Sequence, residues 1–260
     1  MLLKDRVAII TGGASGIGRG IGLKFAEEGC SVAIADIRIK EAEKAAGEIS
    51  TKGVQSLGFE CDATSGSQVQ NMVDKVIEKF GKIDILVNNA GGFGPVISVM
   101  DISEEEWERV VNLNIKGTFL CSKAVAPHMM KNKYGRIINI SSVAAISSGP
   151  PNIHYSAAKG GVLSFTIGLA TELAPYNICV NAILPGVIKT NMWDASVPPG
   201  TDKEEFFQQL AEANIPLGRA GIPEDVGLVA LFFASELSRY VTGDRLVVGG
   251  GLPLTPPPIS

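Results

Sequence analysis

Short runs of Val, Ile and Leu recur along the chain at 7–11, 32–36, 83–88, 137–141, 178–184 and 246–248. They are too continuous for strands with one wet face. Residues apolar on both faces suit a parallel sheet covered by helices on either side. Between the runs lie segments with helical period, at 17–28, 39–52, 69–80, 104–130, 155–174 and 223–235. Ser65 with Gln68, and Ser103 with Glu106, have the spacing of capping boxes, in which two side chains satisfy early orphan N–H groups. The alternation predicts an α/β fold with a doubly wound parallel sheet and right-handed crossovers.

Two segments break the rhythm. Residues 186–216 follow a strand's carboxyl end, where open α/β sheets bind ligands, and contain a short charged helix after Pro198, Pro199 and Gly200; they are expected to form a lid over a substrate. Residues 249–260, with Pro256, Pro257 and Pro258, read as a surface strap or subunit contact. No repeat or low-complexity linker divides the 260 residues, so one domain is expected over 1–260.

Composition removes several functions. The chain is 45% apolar and 19% charged, with 23 Lys and Arg against 27 Asp and Glu and a net charge of -4. That balance offers no electrostatic footprint for nucleic acid or an anionic membrane. No apolar window is long enough for a membrane span, and no signal peptide is evident. Cys30, Cys61, Cys121 and Cys179 are widely spaced, without a C-x-x-C pair, so a cytoplasmic protein with core cysteines is expected. Only His128 and His154 are present, in unrelated segments, and no metal site is expected.

Glycine is abundant, with 30 residues, and its first cluster carries chemistry. The first strand runs into Thr11-Gly12-Gly13-Ala14-Ser15-Gly16-Ile17-Gly18 and then a helix. Such a turn lets a pyrophosphate approach the backbone at a helix N-terminus that carries roughly +0.5 elementary charge. Asp36 ends the second strand, where a carboxylate accepts from adenosine ribose hydroxyls. It would repel a 2'-phosphate by about 4 kcal/mol at 4 Å and an effective dielectric of 20. NAD is therefore expected over NADP, although Arg38, two residues on, and Arg19 leave a route to a phosphate.

Tyr155 and Lys159 are four residues apart in a helical segment and share a face. A free tyrosine, pKa ~10, is only about 0.1% phenolate at neutral pH, and lowering it by three units needs about 4 kcal/mol. An adjacent ammonium supplies the right sign.

With these motifs in place, the chain resembles the short-chain dehydrogenase/reductase family essentially from end to end. T-G-x-x-x-G-x-G stands as Thr11 to Gly18, N-N-A-G as Asn88 to Gly91, and Y-x-x-x-K as Tyr155 to Lys159. The family serine falls on Ser142 rather than Ser141, and the family asparagine on Asn114 rather than Asn112. The resemblance implies a Rossmann-type sheet of about seven strands and hydride transfer between a secondary alcohol or ketone and the nicotinamide. In that chemistry Tyr155 moves the hydroxyl proton and Ser142 hydrogen-bonds the same oxygen. Lys159 binds ribose hydroxyls and lowers the tyrosine pKa, while Asn114 holds a relay water. The resemblance also implies cofactor contacts from Gly12, Ser15, Gly16, Ile17, Gly18, Asp36, Cys61, Asp62, Asn89, Ala90, Gly91, Pro185, Gly186, Ile188 and Thr190. Asn88 is expected to be mainly scaffold. A homotetramer is implied through 104–130 and 155–174.

Segments 92–96, 143–154 and 192–216 are expected around the substrate, with Phe93, Ala144, Ile146, Pro150, Pro151, His154, Met192 and Trp193 as its wall. Such a wall suits an apolar or weakly polar small-molecule alcohol. The alternative within enzymes is an NADPH-dependent 3-oxoacyl thioester (acyl-carrier-protein) reductase. Relatives of that kind usually place an arginine where this chain has Tyr176, although Lys131, Lys133 and Arg136 leave carrier docking open. A non-catalytic nucleotide sensor is a third reading, opposed by retention of Asn114, Ser142, Tyr155 and Lys159 together. The last strand's usual D-G-G is replaced by Gly249-Gly250-Gly251.

Overall fold

A computed structural model describes residues 1–147 and 152–253. Its strands are β1 (Val7–Thr11), β2 (Ser31–Asp36), β3 (Ser56–Glu60), β4 (Ile85–Asn88), β5 (Gly135–Ile140), β6 (Ile178–Pro185) and β7 (Arg245–Val248). They form one sheet, in the order β3-β2-β1-β4-β5-β6-β7, and every neighbouring pair is parallel. The order reverses between β1 and β4. That is the switch point outside which open α/β sheets bind their ligands.

The helices are α1 (Gly16–Glu27), α2 (Ile39–Ser50), α3 (Gly66–Phe80), α4 (Glu104–Val111), α5 (Gly117–Asn132), α6 (Ile153–Leu173), α7 (Lys203–Asn214) and α8 (Pro223–Ala234). Strand β1 shows why its run is continuously apolar. Ala8 and Ile10 point into one core with α1, α2 and α8, while Val7 and Ile9 point into the other with α3, α5 and α6.

Three expectations are corrected. Residues 104–130 do not form one regular helix, because a π-helical turn at Asn112–Lys116 separates α4 from α5. Ser65 does not cap α3: its hydroxyl meets Ser67 Oγ, and Gln68 Oε1 accepts from the Asp62 amide. Ser103 does cap α4, accepting from the Glu106 amide, while the Glu106 carboxylate turns to Arg109. Strand β3 has no apolar run, since it is an edge strand reading Ser-Leu-Gly-Phe-Glu. Its Gly58 passes so close to α2 that a Cβ there would lie 2.5 Å from the Glu43 amide nitrogen.

Residues 186–216 leave the end of β6 and fold over the sheet's carboxyl edge. They have a small core of their own, Phe207, Ala211 and Ile215 with Ala220, against which Trp193, Phe206 and Leu252 pack. The chain after β7 straps this segment down. The Gly250 carbonyl accepts from the Leu217 amide at 2.9 Å, and Gly250 (φ +63) and Gly251 (φ +105) lie against Ile215 and Pro216. Pro256, Pro257 and Pro258 lie outside the described residues.

Candidate active site

A cavity of about 350 Å³ runs along the carboxyl ends of the strands, from Asp36 and Arg38 to Tyr155 and Trp193. The glycine turn forms its floor. Gly12 has φ +60, a conformation that L side chains rarely adopt, and a Cβ there would sit 2.9 Å from Ala90 Cα. Gly18 is absent from the lining. It permits close packing, since a Cβ would lie 2.6 Å from both Asn89 Nδ2 and the Gly12 carbonyl.

The turn is held by polar groups on the next strand over. Thr11 Oγ1 accepts from the amides of Asn89 and Ala90, and Asn89 Nδ2 donates to the carbonyls of Thr11 and Gly12. The Asn89 amide is therefore spent on the loop, although its residue lines the cavity. Asn88 donates to Ser122 Oγ and Asn139 Oδ1, and Asn139 donates to Thr166 Oγ1, a buried network that ties β4 and β5 to α5 and α6.

At the far end of the turn, Asp36 is buried with both oxygens engaged. Oδ2 accepts from the Ala14 amide at 3.2 Å, and Oδ1 accepts from the amide and Nε of Arg38. Arg38 also donates to Ser15 Oγ at 3.1 Å, and the Asp36 carboxylate holds its guanidinium pKa above the usual range. Asp62 Oδ1 accepts from the amide and hydroxyl of Thr64, which fixes the turn that brings Cys61 and Asp62 to the cavity wall. Burial pushes the Cys61 thiol up to about 11, so it stays protonated.

Ser142, Tyr155 and Lys159 line the opposite end. Helix α6 is stapled to the end of β5 in both directions. Ser141 Oγ donates to the Lys159 carbonyl at 2.8 Å, and Lys159 Nζ donates to the Ile140 carbonyl at 2.9 Å. Ser141 thus has a structural task, which leaves Ser142 to meet the tyrosine. Burial pushes Tyr155 up to about 12, against a lowering hydrogen bond from Ser142, and pushes Lys159 down to about 8. The expected lowering of the tyrosine by the lysine is not met within the protein alone. Nζ lies 5.7 Å from the ring centroid, and the lowering that opposes burial comes from Ser142 and not from the lysine.

Asn114 sits in the π-helical turn, fully buried behind the cavity wall. Single-turn π bulges inside α-helices are frequent at functional sites because they re-aim one side chain. Here Nδ2 donates to the carbonyls of Gly92 and Val110, and Oδ1 accepts from the Gly92 amide. Gly91 keeps the space open between Asn114 and Lys159, since a Cβ on it would lie 2.6 Å from Oδ1 and 3.1 Å from Nζ.

Every residue expected to contact cofactor lines the cavity except Gly18, including Ile17, Pro185, Gly186, Ile188 and Thr190. On the substrate side Phe93, Met192 and Trp193 line it, whereas Ala144 and His154 do not. His154 is 0% exposed, packed beneath Gly94 with Nε2 3.6 Å from Glu106 Oε1. It belongs to the support of the wall. Pro150 and Pro151 lie outside the described residues. Leu113 and Asn191 also line the cavity and were not anticipated. Leu113 arrives there through the π register, which apolar periodicity does not reveal.

The residues present fit a dinucleotide. A glycine cradle at the start of a full-length helix, a carboxylate at the end of β2 and a Tyr/Lys pair share one continuous cavity across the switch point. A family model described as enoyl-(acyl carrier protein) reductase matches residues 12–253. The chain is 42% identical over 251 residues to the (2S)-[(R)-hydroxy(phenyl)methyl]succinyl-CoA dehydrogenase subunit BbsD of Thauera aromatica, covering 96% of this chain and 98% of that protein. It is 41% identical over 260 residues to a 3-oxoacyl-[acyl-carrier-protein] reductase FabG of Thermotoga maritima, covering 97% and 99%. Its fold is similar to a 7α-hydroxysteroid dehydrogenase complexed with NADH and 7-oxo glycochenodeoxycholic acid, with TM-score 0.89, 36% identity, and 96% and 94% of the two chains covered.

Proposed function

The chain belongs to the short-chain dehydrogenase/reductase family, and from that premise we propose that it is an NAD-dependent oxidoreductase acting on an uncharged secondary alcohol or its ketone. The observation that carries the reading is the convergence of Ser142, Tyr155 and Lys159 on one end of a cavity whose other end is closed by Asp36. Gly12, Ser15, Gly16 and Ile17 would hold the pyrophosphate, and Asp36 the adenosine ribose. Gly91, Lys159, Pro185, Gly186, Ile188 and Thr190 would hold the nicotinamide half. When bound, the oxidised nucleotide accepts a hydride at its nicotinamide ring and brings a positive charge.

The protein's part is the proton. As the carbinol carbon loses hydride, its hydroxyl gives its proton to the Tyr155 oxygen in its phenolate form, which becomes the neutral phenol, and the C–O bond becomes a carbonyl. Ser142 Oγ hydrogen-bonds the same substrate oxygen. Lys159, anchored on Ile140, would offset the negative charge of that phenolate, and Asn114 would hold a water through which the tyrosine then returns its proton to solvent so that the phenolate re-forms. The overall change is alcohol plus NAD⁺ to ketone, NADH and a proton, and reduction runs the same path backwards.

Reduction of 3-oxoacyl thioesters with NADPH is the second reading, favoured by the likeness to the Thermotoga reductase. Against it stand Asp36 at the ribose end and Tyr176 in place of an arginine. Arg136 is 1% exposed and bound to the Gly135 carbonyl and Glu236, so it offers nothing to an acidic carrier. The name of the Thauera relative joins a hydroxy(phenyl)methyl group to a succinyl-CoA thioester, so it supports a secondary-alcohol centre without separating the two readings, whereas the 7α-hydroxysteroid dehydrogenase structure contains NADH, which favours the first.

Absorbance at 340 nm tests the proposal, with NAD and NADP each supplied against secondary alcohols, and NADH and NADPH against ketones and acetoacetyl thioesters. Turnover of alcohols with NAD is expected to dominate, and a thioester reduced faster with NADPH overturns it. The reading includes a homotetramer, for which exposed Trp107, Phe119 and Ile167 offer apolar contact, and a cytoplasmic location. A monomer by light scattering at micromolar concentration removes the assembly.

A further inference from the structure

We infer that Phe93 and Trp193, in edge-to-face contact with each other, form an aromatic wall, a one-sided clamp, that selects substrates bearing an aryl ring at the carbinol carbon over open-chain ones. The inference rests on the hydride-transfer reading above and deepens it. The Phe93 ring stands edge-on to Tyr155, with centroids 4.9 Å apart and planes at 76°, and Trp193 stands edge-on to Phe93 at 5.6 Å and 72°. Both rings line the same cavity as Ser142 and Met192. Phe206 and Phe207 of α7 back the indole at 6.3 and 6.4 Å.

Phe93 is fixed from both sides. Asn114 grips both backbone groups of Gly92, and the Gly94 carbonyl accepts from Asn152 Nδ2. Gly94 presses on buried His154 so closely that a Cβ there would fall 1.9 Å from Nε2. His154 thus packs beneath the loop that sets Phe93 against Tyr155.

Charge adds a second selection. Cations of segment 186–216 are already engaged, Lys189 with Glu204 and Lys203 with Asp194, as is Arg219 just past it with Asp225. Among the described residues, the basic side chains lining the cavity are Arg38, held by Asp36, and Lys159. A carboxylate on the substrate finds no free partner beside the clamp. An aryl ring packed against the cavity side of the Phe93–Trp193 pair gains aromatic contacts beyond its buried area, which a flexible chain of equal carbon number does not. Together they support a preference of about tenfold.

The test separates the clamp from the reading beneath it. In the Tyr155→Phe protein, which keeps the ring but cannot move the proton, NADH binding is followed by fluorescence; acetophenone and 2-octanone are then titrated calorimetrically into that complex. Acetophenone is expected to bind about ten times more tightly, although 2-octanone is the more apolar of the two. In the otherwise unaltered enzyme, Phe93→Leu and Trp193→Leu are each expected to lower kcat/KM for 1-phenylethanol about tenfold more than for 2-octanol. Failure of NADH to bind overturns the hydride-transfer reading and the clamp with it. NADH binding with 2-octanone bound as tightly as acetophenone, or with neither ketone bound, overturns the clamp alone. Equal losses on both alcohols in both variants do the same.

Discussion

The two ends of the cavity are built from different materials. At the nucleotide end the work is done by backbone and by short polar side chains at strand ends, Thr11, Asp36 and Asn89, each engaged by named partners within the fold. At the proposed substrate end the lining is large rings on loops, Phe93 and Trp193, backed by segment 186–216 with its own small core. A dinucleotide is the same molecule for every substrate, so its site can be fixed by the sheet. Substrate choice is left to segments that can change without disturbing it.

Breaking the seam between the two ends has the largest expected effect. Tyr155→Phe should lower kcat about 10³-fold, within the range of a lost acid–base group, and leave the NADH dissociation constant within about threefold. Stopped-flow rates with fluorescence titration check both. Asp36→Ala comes next. It removes the carboxylate that opposes a 2'-phosphate and frees Arg38 and Ser15 Oγ to meet one. The ratio of NADPH to NADH dissociation constants should fall about 100-fold, roughly 3 kcal/mol, by the same titration. An unchanged ratio would clear Asp36 of cofactor choice.

A smaller effect concerns stability rather than turnover. Lys159 is pushed down to about 8 by burial, from 10.5. Below pH 8 both folded and unfolded chains hold the proton, and the fold bears the full cost of a buried ammonium. Between pH 8 and 10.5 the unfolded chain binds more protons, so stability rises with pH. Lys159→Met is therefore expected to be inactive yet more stable at pH 7, by on the order of 1–3 kcal/mol. That gain should shrink as denaturation is repeated toward pH 10. A variant destabilised at pH 7 would mean that the Ile140 contact outweighs desolvation.

These differences also explain which parts were legible in the sequence. The Thr11–Gly18 turn, Asp36 and the Tyr155/Lys159 pair are readable because backbone clearance and proton chemistry demand particular residues at particular spacings. Five strands were readable because burial on both faces forces an apolar run, and the edge strand β7, exposed to half-buried, was readable from Leu246 to Val248 alone. The edge strand β3 was not, since Ser56, Gly58 and Glu60 need no such run. The π-helical turn at Asn114 was not, because a single extra residue in a helical turn leaves apolar periodicity almost unaltered. His154 was expected at the substrate wall and is buried behind it. Its environment is set by Gly94 and Glu106, which are distant in sequence. Phe206 and Phe207 looked like part of a charged surface helix, and only the fold of the lid turns them toward Trp193.

The smallest expected effect tests whether the lid is held by its apolar core or by charge. Lys189 with Glu204 is an ion pair on the lid's outer side, with side chains 31% and 73% exposed. Water screens such a pair, and ordering two long side chains offsets most of what Coulomb attraction contributes, so exposed pairs typically stabilise by 0–1 kcal/mol. Phe207 and Ala211, by contrast, are 1% and 0% exposed beneath them. The double variant Lys189→Met/Glu204→Gln is expected to move the thermal midpoint by less than about 2 °C and kcat/KM by less than about threefold, at low and high salt alike. A larger or salt-dependent loss would make the lid a charge-latched element, and the two ends of the cavity would then both depend on polar contacts.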